Sequence, residues 1–244
     1  GAHRMSIYVD QGVPYVAYQD GGNGYKATVM KYSGGAWTPV GSAGFSAGTA
    51  GYTSLAIDGS GVPYVAYTDG NYYNRARVMM FNGDEWTTVG GAISLEPAYG
   101  VALAIDGSGM PYVAYAKGGV YNYAAMVKKY SGGNWTGDQV SPGSASCIRL
   151  TIDGSNVPYV AYADGSSSDN RPTVKKLIDG GWTSAVSMHL DVLQLSLAVD
   201  GSSVPYVAHM DGVEKITVKK FTGSGWTTVG ASLLSAHDPS IAID

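Results

Sequence analysis

Carboxylates recur in this chain at regular positions. Asp10, Asp58, Asp106, Asp153, Asp200 and Asp244 each end a short apolar run, such as Ser54-Leu55-Ala56-Ile57-Asp58. Gathered side by side they could hold Ca2+ or another hard cation, which is ligated by oxygens. Asp10, Asp58, Asp106, Asp153 and Asp200 are therefore the candidate metal ligands. The plainer reading is structural: an Asp at the head of a turn accepts nearby backbone N–H groups, and here the turn is repeated with it. A second series, Asp20, Asp69, Asp164 and Asp211, is broken by Lys117, which argues against a strict ring of ligands.

Acid–base chemistry finds little else to work with. Glycoside hydrolysis needs two positioned carboxylic acids. The three glutamates are Glu85 beside a Trp, and Glu96 and Glu214 in variable connections. No acid at the end of an apolar run departs from the repeated pattern, as a catalytic acid would. The four histidines (3, 189, 209 and 237) lack the paired spacing of a metal site. His209 stands where the other copies have Tyr, so it reads as a packing substitute. His237-Asp238 has no serine in a nucleophile elbow to serve. The expectation is a protein that is not an enzyme and carries no cofactor.

Tyrosine offers more. Tyr25, Tyr72, Tyr73, Tyr121 and Tyr123 lie in segments rich in Gly, Asn and Asp. An aromatic ring with a polar tip suits sugar or peptide recognition. These five are the candidate ligand-binding residues, set against the blander possibility that they only cover gaps in a chain with 19 tyrosines.

What positions them is a repeat. Pro-Tyr-Val-Ala recurs at Pro14, Pro63, Pro111, Pro158 and Pro205, at intervals of 49, 48, 47 and 47, each followed by one Trp at 37, 86, 135, 182 and 226. A period near 48 with several short apolar runs per unit signals radial or solenoid repetition. Each unit predicts four strands. Strand A is the run ending in Asp, at 6–10, 54–58, 102–106, 149–153, 196–200 and 240–244. Strand B is Pro-Tyr-Val-Ala-Tyr, with Pro first, where a strand tolerates it. Strand C spans 27–32, 76–81, 125–130, 173–177 and 216–221. Strand D opens with the Trp. Strands A and B are apolar on both faces, so each sheet must be covered twice. Stacking blades radially does that.

The fold class expected is all-β: a β-propeller of five four-stranded antiparallel blades of about 48 residues. Its repeats are 6–53, 54–101, 102–148, 149–195 and 196–239, followed by an extra inner strand at 240–244, in a single domain from 6 to 244. Residues 1–5 read as a cloning remnant, which leaves room for a native leader upstream. Six A strands against five sets of B, C and D leave one surplus. A closure strap, a cut from a larger ring or strand exchange between chains would each absorb it, so the partners include a monomeric or a strand-swapped state.

On these residues the chain resembles the β-propeller blades of repetitive bacterial surface and secreted proteins, and in architecture the five-bladed lectins of the tachylectin-2 type. The resemblance covers the chain from Ser6 onward. No Trp-Asp dipeptide ends a blade, the Ser-x-Asp-x-Gly-x-Thr-Trp box is absent, and the Gly-Gly doublets before Trp are turn residues. The resemblance implies an extracellular or cell-surface protein that binds glycan.

Bulk properties agree. A net charge of -4 lacks the basic stripe of a nucleic-acid binder. The paired lysines 128–129, 175–176 and 219–220 hold equivalent positions and read as solvated blade surface. No apolar run reaches the length that spans a bilayer. The single Cys147 allows no disulfide framework and reads as a small core residue.

Comparing the copies separates frame from payload. The A–B and C–D turns vary little. The B–C loops (20–25, 69–74, 117–123, 164–170, 211–214) and D–A connections (42–52, 91–100, 141–146, 187–194, 231–239) vary in length and content. In an up-and-down blade these emerge on one face, the candidate binding face. The function expected is a non-enzymatic binding or adhesion module for a glycan or a cell-surface protein. The alternatives are a scaffold without a ligand and, third, a glycosidase-like propeller.

Overall fold

Each repeat holds four apolar stretches separated by turn residues, and in the structure each stretch hydrogen-bonds to the next along the chain. The computed structural model describes residues 2–118, 123–166, 170–184, 188, 192–234 and 237–243. The first repeat forms β1 (Ala2–Asp10), β2 (Val13–Asp20), β3 (Lys26–Ser33) and β4 (Ala36–Pro39). The second forms β5 (Ala50–Ile57), β6 (Pro63–Asp69), β7 (Arg75–Phe81) and β8 (Trp86–Thr88). Then come β9 (Ala98–Ile105), β10 (Pro111–Lys117), β11 (Ala124–Ser131), β12 (Asn134–Ile152), β13 (Pro158–Asp164), β14 (Arg171–Ile178) and β15 (Gly181–Ser184). The fifth repeat supplies β16 (Gln194–Val199), β17 (Pro205–Met210), β18 (Lys215–Phe221) and β19 (Trp226–Leu234).

These strands make four sheets: three of four strands, in chain order, and one of seven, ordered β15-β14-β13-β12-β11-β10-β9. The seven-stranded sheet arises because β12 runs unbroken for 19 residues. It begins as the last strand of the third repeat and ends as the first of the fourth. The D–A connection expected at 141–146 is thus strand, not loop. At six residues it is the shortest of the five connections, and it has no slack to leave the ladder. The terminal stretch behaves differently from the expected inner strand. Residues 240–243 pair with no strand.

The chain divides into two compact units, Gly1–Gly119 with Lys128–Gly137, and Val120–Val127 with Asp138–Asp244. In the first, the registers fix which side chains share a face. Leu55 lies beside Val65, and Val65 beside Met79. That face packs on Ala17, Ala27 and Val29 of the first repeat, with Tyr67 and Trp86 in the same core. The second unit repeats the arrangement, with Tyr159, Ala161 and Val174 against Leu195, Leu197 and Val207. Small residues on one sheet face receive large ones on the next. This explains why Pro-Tyr-Val-Ala-Tyr is apolar on both faces.

Trp86 and Trp135 are wedges between successive repeats, whereas Trp37 is exposed. Trp86 Nε1 donates to Val40 O at 2.7 Å, and Trp135 Nε1 to Val89 O at 2.8 Å. Gly41 and Gly90 lie against these rings with φ of 67° and 66°. A Cβ on Gly41 would sit 2.6 Å from Phe81 and 3.2 Å from Trp86, so both the handedness and the space require glycine there. Cys147 is half-buried rather than central. It sits at a bulge with φ of 54°, its Sγ 3.1 Å from Leu193 O.

Candidate functional site

Within each unit the variable connections meet at one end of the strands. In the first unit Ala50 N donates to Tyr25 O, Gly70 N to Thr49 O, and Ala98 N to Asn74 O. In the second, Ala145 N donates to Tyr123 O and Gly165 N to Ser144 O. B–C loops and D–A connections are therefore stitched together, as the up-and-down reading requires. Residues 49–50 bridge two successive B–C loops, one carrying Tyr25 and the other Tyr72 and Tyr73.

Buried polar groups make this end rigid. Ser46, Ser94 and Ser141 each accept the amide of the second residue of a C strand, from Ala27, Ala76 and Ala125. Ser46 and Ser141 also donate to the carbonyls of Gly48 and Gly143. Fully buried Asp69 accepts from Gly48 N and Asn71 N, both at 3.1 Å. Asp20 holds its own loop in the same way, accepting from Asn23 Nδ2, Thr28 Oγ1 and Gly22 N. Those donors hold its carboxyl below the usual range, the Asn23 amide first. Buried Tyr115 is pushed up to about 12, first by desolvation and then by Glu96. It therefore stays a neutral phenol.

On this frame Tyr25, Tyr72, Tyr73 and Tyr123 are exposed. Tyr121 lies outside the described residues. Arg77 covers the Tyr72 ring at 4.2 Å, and Arg75 stands 5.9 Å from the Tyr73 ring. Such stacking is a cation–π contact. Tyr73 is 78% exposed. Tyr25 and Tyr73 have φ of 61° and 57°, a left-handed conformation that is uncommon for a bulky residue.

Two tyrosines of this end escaped the sequence reading. Tyr52 and Tyr99 contact each other edge to face, ring centroids 6.4 Å apart. Tyr52 also has positive φ, 51°, at a bulge where the register shifts between Gly51 and Ser54. Bulges re-aim side chains. Both residues lay inside connections already read as variable, but nothing in their spacing marked them.

Four members of the Asp series, Asp58, Asp106, Asp153 and Asp200, accept amides of the turn that follows them. Asp58 Oδ1 accepts from Ser60 N and Val62 N, both at 2.9 Å. Asp106, Asp153 and Asp200 repeat the pattern with amides two and four residues on. Burial pushes the Asp153 carboxyl up, but the Ser203 hydroxyl and the amides of Val157 and Ser155 outweigh it and hold it low. The first turn is one residue shorter. Asp10 pairs directly with Val13 across Gln11 (φ 46°) and Gly12 (φ 80°). Among the described residues no cluster of His, Cys, Asp or Glu is arranged to hold a metal ion. Glu96 pairs with Lys117 at 3.2 Å and Glu214 with His237 at 3.8 Å, both pairs exposed.

At the opposite end of the strands the repeat makes two equivalent clefts. One, of about 290 Å3, is lined by Tyr15, Lys31, Pro63, Phe81 and Gly83. The other, of about 280 Å3, is lined by Tyr159, Lys176, Pro205, Phe221 and Gly223. The ten residues correspond position by position. Lys31 and Lys176 thus line a cleft rather than a featureless surface.

No protein-family model matches the sequence, and neither does any curated protein sequence. Solved structures do match in fold. Aleuria aurantia lectin in complex with Fucα1-6GlcNAc is 17% identical over 93% of this chain and 78% of its own, with a TM-score of 0.64. An ulvan lyase of a polysaccharide lyase family is 12% identical over 91% of this chain and 69% of its own, with a TM-score of 0.65. A Hadza microbial sialidase is 14% identical over 97% of this chain and 59% of its own, with a TM-score of 0.66. These neighbours are β-propellers, and the chain shares their propeller-like all-β fold. No helix among the described residues is long and apolar enough to cross a membrane.

Proposed function

We propose that this chain is a non-catalytic binding module, a single five-bladed β-propeller domain of a bacterial surface or secreted protein, whose loop end recognises glycans. Five blades follow if β12 is counted in both of the repeats it joins. The observation that carries the function is the conformation of Tyr25, Tyr52 and Tyr73. Holding a Tyr at positive φ costs free energy, and such outliers concentrate where a side chain has work to do. All three belong to one stitched surface, and two of them present exposed rings to solvent. A planar apolar ring with a hydroxyl suits the apolar face and polar rim of a sugar. The fold neighbours include a lectin crystallised with a fucosylated disaccharide, which favours the same ligand class. The carboxylates described above hold turns or lie in exposed ion pairs, which favours binding over catalysis.

The two equivalent clefts favour a second reading, in which the glycan sits between successive repeats with Lys31 and Lys176 as donors. Repeated weak sites would then act through avidity.

A broad glycan array tests both. Folded protein should give a selective signal that Tyr25→Ala, Tyr72→Ala, Tyr73→Ala and Tyr123→Ala together abolish. Loss on Lys31→Met with Lys176→Met instead moves the site to the clefts. A blank array overturns glycan recognition and leaves a protein-binding or scaffold role.

A further inference from the structure

Where the repeats share a frame, a copy that departs from it carries something the frame does not need. The C strands β3, β7, β11, β14 and β18 open with Lys26, Arg75, Ala124, Arg171 and Lys215, and their third residues are Thr28, Arg77, Met126, Thr173 and Thr217. Only the second repeat has a guanidinium at both positions. Its B–C loop is also the only one with two adjacent tyrosines, Tyr72 and Tyr73. In the first repeat the third position serves the frame: Thr28 Oγ1 donates to Asp20 at 3.0 Å and accepts from Gly44 N at 2.8 Å. In the second, Asp69 takes the place of Asp20 and is held by the amides of Gly48 and Asn71. Arg77 Nε stands 3.9 Å from Asp69 Oδ2, an ion pair without a hydrogen bond.

Arg75 and Arg77 are two residues apart on β7 and so share one face of the strand. The Arg77 side chain is 18% exposed, lies over the Tyr72 ring at 4.2 Å and donates from Nη2 to Thr88 Oγ1 at 3.3 Å. Asp69 offsets its charge. Arg75 has no such carboxylate among the described residues. Its guanidinium lies 5.9 Å from the Tyr73 ring, and its Nε is buried with no hydrogen-bond partner among the described residues. A buried donor left unpaired is rare and asks for a partner. Two guanidinia against one carboxylate leave one positive charge here, in a chain whose net charge is -4. Attraction for an anion at this spot is therefore local. The planar fork of a guanidinium matches two oxygens of a carboxylate or a sulfate, and stacking on an aromatic ring holds its plane. Beside it Tyr73 offers an exposed ring, held by left-handed backbone at Tyr73 and Asn74 (both φ 57°).

We propose, resting on the glycan reading of the loop end, that Tyr72, Tyr73, Arg75 and Arg77 form a subsite for an acidic sugar. Tyr73 stacks on the sugar ring, Arg75 pairs with its carboxylate or sulfate, and Arg77, fixed by Tyr72, Thr88 and Asp69, supplies the second positive charge. The chain thus selects acidic over neutral glycans.

Binding to matched glycan pairs tests this: a uronate oligosaccharide against its carboxyl-reduced form, and a sulfated galactan against its desulfated form. The native chain is expected to bind the acidic member of at least one pair at least tenfold more tightly, and the pair that separates names the acid. Arg75→Gln should remove that preference. Lys129→Gln, an exposed strand position, changes the net charge equally and should keep it. Arg77→Gln risks exposing Asp69 to an unpaired state, so Arg75→Gln is the deciding variant, with its melting temperature taken alongside. Equal binding to both members of both pairs overturns the acidic subsite while leaving glycan recognition standing. A preference that survives Arg75→Gln, or that Lys129→Gln removes as well, overturns it too. No binding to any of the four, or to a broad array, removes the glycan reading and the subsite with it.

Discussion

Trp86 donates its indole N–H to the Val40 carbonyl at 2.7 Å, 46 residues earlier in the chain, while Phe45 stacks on the same ring at 4.1 Å and 11°. One side chain thus joins a repeat to its predecessor by a hydrogen bond and a ring contact. Trp86→Ala is expected to cost about 3–5 kcal/mol in chemical denaturation. Trp86→Phe keeps the packing but orphans a buried carbonyl, at about 1–3 kcal/mol. Trp37→Ala, at the equivalent but exposed position, should cost under about 1 kcal/mol in a monomer. Equal losses at both positions would refute the wedge assignment.

Gly41 and Gly230 share a left-handed backbone but not their surroundings. Alanine at either site carries the conformational penalty of roughly 1 kcal/mol. Only Gly41→Ala also drives a methyl into Phe81 and Trp86, adding about 1–3 kcal/mol of overpacking. The difference between the two melting curves measures the second effect alone.

Buried His209 has neither ring nitrogen hydrogen-bonded and fills the slot that Tyr67 and Tyr162 fill in other repeats. Desolvation, with Lys219 adding to it, lowers its pKa to about 4. The unfolded chain takes up that proton near pH 6.5 and the folded chain does not. Stability supplied by this residue is therefore full above about pH 6.5 and falls as the pH drops toward 4. His209→Tyr should flatten the melting temperature across that window relative to the native chain. Parallel curves would show that His209 does not titrate as described.

Asp58→Ala removes a carboxylate that accepts two backbone amides, and a loss of about 1–3 kcal/mol is expected. Melting temperatures of native chain and variant should be unchanged by Ca2+ or by EDTA, since the role is capping. A Ca2+-dependent shift lost in the variant would restore the metal reading.

Tyr73→Gly relieves a left-handed backbone and is expected to raise stability by roughly 1 kcal/mol while weakening glycan binding. A residue that only covers a gap would give no such opposition. Calorimetric melting and array signal, measured on the same preparation, separate the two cases.

The repeat was legible because its physics is local. Pro at a strand start, Asp before a turn and one Trp per unit each do the same job in successive repeats, so their period reveals the sheets. Tyr52 and Tyr99 were not legible, because a bulge and a positive φ are decided by how the D–A connection closes onto its neighbour. Tyr25, Tyr72 and Tyr73 were legible as loop aromatics, but the cover of Arg77 over Tyr72 was not. The unbroken β12 was hidden for a similar reason. Ser141 looks like a loop residue until it accepts the Ala125 amide.

The Asp turns also bear on chemical ageing. Asp58, Asp106, Asp153 and Asp200 each precede Gly, the neighbour that most favours cyclisation of an aspartate to a succinimide, which reopens as isoaspartate. That reaction needs the carboxyl carbon to swing onto the nitrogen of the next residue. In each of these turns the carboxylate is instead pinned by amides two and four residues on. The fold thus protects these four Asp-Gly bonds with the same contacts that shape its turns. Isoaspartate accumulating at these four residues in stored protein would then act as a clock for how often those turns open.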